Sequence, residues 1–110
     1  MTSIILPKKP ILISLFLLSG GILFAQGVAQ IRGRVLDSET QSPVPFANVF
    51  FNNTSIGTIA DSVGNYWLKG VPTQYTDLVF SSVGYESSLA KVSLSAGQSL
   101  NVQARLHPAK

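Results

Sequence analysis

The stretch IRGRVLD, residues 31–37, has the alternating pattern on which the fold prediction rests. Ile31, Gly33 and Val35 alternate with Arg32 and Arg34, so that apolar and charged side chains fall on opposite sides of an extended chain. A period of two residues is typical of a β-strand that buries one face. The segment therefore predicts a strand with one face in a core and the other in solvent.

The same alternation returns downstream at short intervals. It is found in ANVFF (47–51), NYWL (65–68) and NVQARL (101–106), and clusters of Pro, Gly, Asn and Asp separate the runs. The pattern predicts strands near residues 30–36, 45–52, 56–60, 65–70, 76–82, 86–94 and 98–106. Because one sheet cannot cover its own apolar face, we predict an all-β, seven-stranded antiparallel β-sandwich.

Aromatic residues are expected to supply much of the core. The candidates are Phe46, Phe50, Phe51, Tyr66, Phe80 and Tyr85. Because Phe50 and Phe51 are adjacent on one strand, one of them is expected on the outer face. Trp67 stands between Tyr66 and Leu68, and it is expected to point away from the face that they share. Aromatic residues are enriched at protein interfaces, which makes an exposed Trp67 a candidate contact residue; cover by a neighbouring loop is the alternative.

The first 29 residues have the layout of a secretory signal peptide. Two lysines precede the uncharged run 11–24, and small residues follow at Ala25, Gly27 and Ala29. We expect cleavage after Ala29 or after Ala25. A retained membrane anchor is the alternative, although this run is shorter than the roughly 20 apolar residues that span a bilayer. The chain has no Cys, which excludes disulfides and lipidation at a cysteine.

The net charge of residues 30–110 differs from that of the whole chain. The 110-residue chain is 45% hydrophobic with a net charge of +3 and a mean hydropathy of +0.32. Residues 30–110 carry six cationic and five acidic side chains without a run of either sign, a net charge of +1. Nucleic-acid binding needs clustered Lys and Arg, so no nucleic-acid partner is expected. We predict a leader (1–29), one sandwich domain (30–107) and a tail (108–110).

The sequence offers no set of catalytic or metal-ligating residues. Its one His, His107, lies close to the C-terminus, whereas zinc needs three or four ligands and a Ser–His–Asp triad needs its His in a structured pocket. The segment DSVGN (61–65) has a single carboxylate, which favours an Asx turn over a calcium loop. We therefore expect no enzymatic activity, no metal and no cofactor.

Several segments resemble, in order, one domain family. They are IRGRVLD (31–37), PVPFANVFF (43–51), TSIGT (54–58), DSVGNYWL (61–68) and LVFSSVGY (78–85). As a set they resemble the carboxypeptidase regulatory-like domain, a transthyretin-like β-sandwich. The resemblance covers residues 30–106 and is strongest to the version at the N-terminus of SusC-type TonB-dependent outer-membrane receptors.

The matched residues have structural rather than catalytic explanations. They are Gly33, Asp37, Pro45, Ala47, Gly57, Asp61, Gly64, Tyr66, Gly84 and Tyr85. We expect Gly33 to avoid crowding the opposite sheet and Asp37 to accept hydrogen bonds from the backbone of the first turn. Pro45 is expected to begin the second strand, and the Tyr85 hydroxyl to form a hydrogen bond at the edge of the sandwich.

The resemblance implies an exported interaction module. In metallocarboxypeptidases the zinc ligands belong to the neighbouring catalytic domain, and in the receptors this domain is an N-terminal extension. We expect a periplasmic or outer-membrane-associated domain of a Gram-negative bacterium, stand-alone or truncated, whose protein partner in the cell envelope pairs with an exposed strand edge. Membrane contact is expected only through the signal segment or an associated receptor.

Two other functions remain open from the sequence. The first is a carbohydrate-binding or adhesive module, in which Trp67 and Tyr75 would offer faces for sugar stacking. The second is the accessory domain of a separately encoded carboxypeptidase-like hydrolase.

Overall fold

The computed structural model describes residues 27–110, so most of the predicted leader, residues 1–26, lies outside the described residues. The strands are β1 (Val28–Asp37), β2 (Asn48–Phe51), β3 (Gly57–Ile59), β4 (Asn65–Pro72), β5 (Asp77–Ser81), β6 (Ser88–Lys91), β7 (Ser99–Asn101) and β8 (Ala104–Leu106). One sheet contains β4, β1, β7 and β8, and the other has the order β3-β2-β5-β6. The prediction of an all-β, two-sheet sandwich is confirmed. Residues 27–110 include no helix long and apolar enough to cross a membrane.

The first sheet is built around β1 and is mixed rather than purely antiparallel. β1 pairs antiparallel with β4, with Ile31 opposite Leu68 and Gly33 opposite Tyr66. Its other edge pairs in parallel with β7 and, further along, with β8. The second sheet is antiparallel throughout, as expected. Parallel pairing is possible because β1 is remote in the sequence from β7 and β8, and no hairpin joins it to either strand.

The last predicted strand, 98–106, is divided into β7 and β8 by a close approach. A Cβ on Gly33 would overlap the carbonyl oxygen of Val102, and that oxygen accepts a hydrogen bond from the Tyr66 hydroxyl. Gly33 therefore makes room for a neighbouring segment of its own sheet, and the expectation that it faces crowding from the opposite sheet is wrong. Burial raises the pKa of Tyr66, which keeps its hydroxyl a donor.

The core lies between the inner faces of the two sheets. Its largest fully buried side chains are Phe51, Phe80, Ile31, Leu78 and Leu106. The ring of Tyr66 packs edge-on against Phe80, with 5.6 Å between the ring centroids. Each of these residues points inwards on a strand whose next residue points outwards, as the period of two requires.

The second strand begins later than predicted. The sequence places its start at Pro45, but Pro45 and Phe46 form a turn and β2 starts at Asn48. Phe46 has a positive φ of 59°, the conformation that a type II turn requires after a proline. The turn carries Phe46 to the surface, where it is 63% exposed, so its prediction as a core residue is wrong. Ala47, directly after the turn, is buried.

The β-structure extends beyond both predicted limits of the domain. β1 begins at Val28, two residues before the predicted start at residue 30. At the other end, the predicted tail is partly paired, because Pro108 forms an isolated bridge with Tyr85 and the Ala109 N–H donates to the carbonyl of Gly84. The C-terminal residues therefore contact the loop between β5 and β6.

Candidate binding surfaces

Asp37 organises the turn that follows β1. Its Oδ1 accepts hydrogen bonds from the N–H groups of Glu39 and Thr40, at 2.7 and 3.0 Å, and its Oδ2 accepts one from the Tyr85 hydroxyl at 2.8 Å. The bonds from the Thr40 amide and the Tyr85 hydroxyl lower the pKa of Asp37, and the bond to this carboxylate raises the pKa of Tyr85. Asp37 and Tyr85 thus join the first turn to the β5–β6 loop.

The carboxylate of Asp61 is likewise engaged in a turn. Its Oδ1 accepts hydrogen bonds from the N–H groups of Val63 and Asn65, both at 2.9 Å. Gly64 completes the turn with a φ of +82°, and a Cβ there would lie 2.7 Å from the carbonyl oxygen of Val35. Across residues 27–110, no three His, Cys, Asp or Glu side chains are grouped to hold a metal ion.

Among residues 27–110, His107 has one side-chain partner, Ser38. The distance from the His107 Nδ1 to the Ser38 Oγ is 2.9 Å, and the contact is exposed. In the part of the chain that the structure describes, no carboxylate is hydrogen-bonded to the His107 ring. The pair therefore lacks the buried acid that orients the base in a Ser–His–Asp triad.

The outer face of the first sheet presents a row of three polar or aromatic side chains. Trp67 on β4 lies opposite Arg32 on β1, which in turn lies opposite Asn101 on β7. Arg34 and Lys69 stand in the adjacent rows, two residues away on β1 and β4. These five residues are termed the Trp67 face. A shallow depression of about 400 Å³ lies over most of it.

Trp67 is held in place by polar and cationic neighbours. It is 46% exposed, and its Nε1 donates a hydrogen bond to the Oε1 of Gln30 at 2.7 Å. The guanidinium carbon of Arg32 lies 4.4 Å from the ring centroid, and the Nζ of Lys69 lies 3.8 Å from it. Both distances are within the range of cation–π attraction. The indole therefore carries cations on its π-surface and is not a bare platform for stacking.

Tyr75, predicted from the sequence to offer a stacking face along with Trp67, lies elsewhere. It is half-buried, and its ring centroid is 5.8 Å from that of Phe51, a core residue. The two aromatic residues line different depressions. The structure therefore does not bring Trp67 and Tyr75 together in one site.

The outer face of the second sheet carries an apolar row across all four strands. Gly57 of β3 lies opposite Phe50 of β2, which lies opposite Val79 of β5, which lies opposite Leu89 of β6. With Ile59, the other outward-facing residue of β3, these residues are termed the Phe50 face. Ile59 and Leu89 are 62% and 49% exposed. A depression of about 580 Å³ lies beside β2 and β3.

The apolar row ends on the two edge strands of the second sheet, β3 and β6. Within the described residues, β3 pairs only with β2, and β6 pairs only with β5. At the β6 edge, Lys91 forms an ion pair of 2.7 Å with Asp77. At the β3 edge, Gly57 leaves room for the Phe50 side chain, because a Cβ on Gly57 would lie 2.7 Å from the Phe50 Cβ.

The Phe50 face was not among the features predicted from the sequence. The alternation of one strand indicates that Phe50 or Phe51 faces outwards, but a row arises only when the strands pair in a particular register. Phe50, Val79 and Leu89 are far apart in the sequence, and no local signal aligns them.

The model of the CarboxypepD_reg-like domain family matches residues 31–110. The chain matches no curated protein sequence. Among solved structures, a candidate carbohydrate-binding protein from Bacteroides uniformis ATCC 8492 is similar, with a TM-score of 0.55 and 19% identity over 74% of this chain and 42% of that one. Two interface mutants of a type II cohesin–X–dockerin complex from Acetivibrio cellulolyticus have TM-scores of 0.53 and 0.54, with 19% identity over 72% of this chain and 56% of theirs.

These similarities in structure show a shared fold. At 19% identity they carry no information about ligands or partners of this chain. The chain spans about half the length of the structures that it matches, between 42% and 56%.

Proposed function

The chain belongs to the CarboxypepD_reg-like domain family, and from this premise we propose that it is a non-catalytic module that binds a protein partner in the cell envelope. The observation that carries the proposal is the apolar row of the Phe50 face. A contiguous apolar patch on a protein surface marks an interaction site. The Ser38–His107 contact has no acid partner in the described residues, so the purified chain is expected to show only background turnover of peptide substrates.

We propose that the partner adds a strand at the β3 edge. β3 is three residues long, and a partner strand would pair with its free main-chain groups. Gly57 has no side chain, so an apolar side chain of the partner can pass over it and contact Phe50. Ile59 would contact the next outward-facing residue of the added strand. Main-chain bonds would supply affinity, and the fit over Gly57 would supply specificity.

Photo-crosslinking at residue 59 tests this proposal. A benzophenone amino acid at Ile59 is expected to give one discrete cross-linked envelope protein in cells, and the same probe at the fully exposed Val83 is expected not to. The cross-linked protein is then identified, purified and titrated against the chain. Ile59→Lys should weaken binding at least about tenfold, since it places a charge in a desolvated contact, whereas Val83→Lys should not. Equal labelling from both positions, or unchanged affinity of Ile59→Lys, would refute the proposed surface.

We also propose that the chain is exported and acts in the periplasm beside an outer-membrane TonB-dependent receptor. The run 11–24 and the resemblance to the receptor extension support this proposal. We place the cleavage after Ala25 rather than after Ala29, because Ala29 is buried in β1 and the Val28 carbonyl accepts a hydrogen bond from Gly97 at 2.8 Å. Mass spectrometry of the periplasmic fraction should find Gln26 as the first residue. A mature chain that starts at Gln30, or one that keeps its leader, would contradict this.

A further inference from the structure

The Trp67 face carries cations and no carboxylate. Arg32, Arg34 and Lys69 project from neighbouring strands. One acidic residue, Asp37, ends β1, but it is buried and its carboxylate is bound by the turn and by Tyr85; the other four lie in turns, in a loop or on the second sheet. The five acidic residues are Asp37, Glu39, Asp61, Asp77 and Glu86. In residues 27–110 the one ion pair joins Lys91 to Asp77, on the second sheet. The three cations of the Trp67 face therefore have no carboxylate within the distance of an ion pair, and a ligand of complementary charge must be anionic.

The geometry of Trp67 selects an anionic ligand over a neutral sugar. Arg32 and Lys69 lie over the indole, and Gln30 fixes the indole N–H. A neutral sugar would have to displace at least one cation to stack on that surface. A carboxylate or phosphate would bind the cations where they stand, because the ring already restricts their positions. The guanidinium of Arg32 can bind such a group through two parallel hydrogen bonds.

Amide side chains complete the face beside the cations. Asn101 lies in the same row as Arg32, and Asn65 and Gln103 line the same depression. Each amide offers both a donor and an acceptor, which suits the hydroxyl groups of a sugar because these also donate and accept. Apolar contacts, which dominate the centre of protein interfaces, lie instead on the Phe50 face of the other sheet.

We propose that the Trp67 face binds an anionic saccharide, meaning a sugar that bears a carboxylate or a phosphate. The site lies on the opposite sheet from the proposed protein contact and does not depend on it. Failure of one leaves the other intact, because Ile59→Lys alters only the Phe50 face and Arg32→Gln only the Trp67 face.

Tryptophan fluorescence reports on this site directly, because Trp67 is the single tryptophan of the chain. The purified chain is titrated with polygalacturonate, with glucose 6-phosphate and with neutral dextran, and its tryptophan fluorescence is followed. A saturable change with either anionic sugar, weakened by added salt and absent with dextran, is expected. Polygalacturonate and glucose 6-phosphate distinguish a carboxylate from a phosphate as the recognised group. Binding of dextran, or no change with either anionic sugar, would overturn the proposal.

Variants of equal net charge distinguish binding at the Trp67 face from a general effect of the chain's charge. Arg32→Gln and Lys69→Gln should each weaken binding about tenfold, as expected for the loss of a charge-assisted contact. Lys91→Gln removes the same charge from the second sheet and should change the affinity less than twofold. All three positions are exposed, and circular dichroism checks that the variants fold. An equal loss in Lys91→Gln, or polyglutamate binding as tightly as polygalacturonate, would overturn the saccharide site.

Discussion

Gly33→Ala is expected to destabilise the domain more than one added methyl group normally does. The new Cβ would overlap the carbonyl oxygen of Val102 and lie 3.0 Å from the Tyr66 hydroxyl oxygen. The obstructing atom is backbone and cannot move by a change of rotamer. The Val102 N–H is bound to the carbonyl of Arg32 at 2.9 Å, so Val102 can move only if the segment 102–103 between β7 and β8 moves with it.

Gly33→Ala is expected to lower the free energy of unfolding through a steric clash and through the loss of a hydrogen bond. Overpacking a filled site typically costs about 1–3 kcal/mol. Displacing the Val102 carbonyl also breaks its hydrogen bond with Tyr66, which contributes about 1 kcal/mol. We therefore expect a loss of about 2–4 kcal/mol, a large fraction of the roughly 5 kcal/mol typical of the low end for small domains.

Urea unfolding followed by Trp67 fluorescence measures this loss. The control is Gly97→Ala, where a Cβ meets nothing within 4 Å but φ is +78°; its cost should be about 1–2 kcal/mol, from the backbone alone. In a double-mutant cycle with Tyr66→Phe, the two losses should fall short of additivity by about 1 kcal/mol, since Gly33→Ala already breaks the bond that Tyr66→Phe removes. A Gly33→Ala cost no larger than that of Gly97→Ala, or strict additivity with Tyr66→Phe, would refute the reasoning.

Two further predictions concern Asp37 and Phe46. Hydrogen bonds from the Thr40 amide and the Tyr85 hydroxyl lower the pKa of Asp37, so the stability they add is present above the unfolded-state pKa and is lost as the pH falls through the folded-state pKa. Asp37→Asn should therefore lower the thermal midpoint at neutral pH and flatten its fall in acid; an unchanged acid profile would contradict this. Phe51→Ala should cost about 3–5 kcal/mol in urea unfolding, and Phe46→Ala about 0.5 kcal/mol; similar costs would contradict the exposed turn.

The sequence predicts those features that depend on neighbouring residues. Alternation in β1 and β4 indicates which residues face outwards, and it places Arg32 and Trp67 correctly on exposed faces. The short polar segment after β1 indicates a turn held by Asp37, and the structure shows the two backbone bonds that do so. Each of these outcomes is fixed within a few residues by the strand period or by local side-chain bonding to the backbone.

Features that depend on distant residues could not be predicted from the pattern. Phe46 is a local exception, predicted in the core although the proline directly before it sets a turn that exposes it. The run 98–106 is predicted as one strand, and only the approach of Val102 to Gly33 explains why it is divided into β7 and β8. The Trp67 face and the Phe50 face both depend on register, which is set by pairing between strands that are remote in the sequence.

The position of the Trp67 face follows from the topology of the first sheet. Parallel pairing of β7 with β1 places Asn101 beside Arg32, and antiparallel pairing of β4 with β1 places Trp67 on the other side. Among the described strands β7 pairs only with β1, so the row ends at Asn101 on this edge strand. The residues that carry the family resemblance and the proposed binding surface can share the same two strands, since the strand period assigns them to opposite faces.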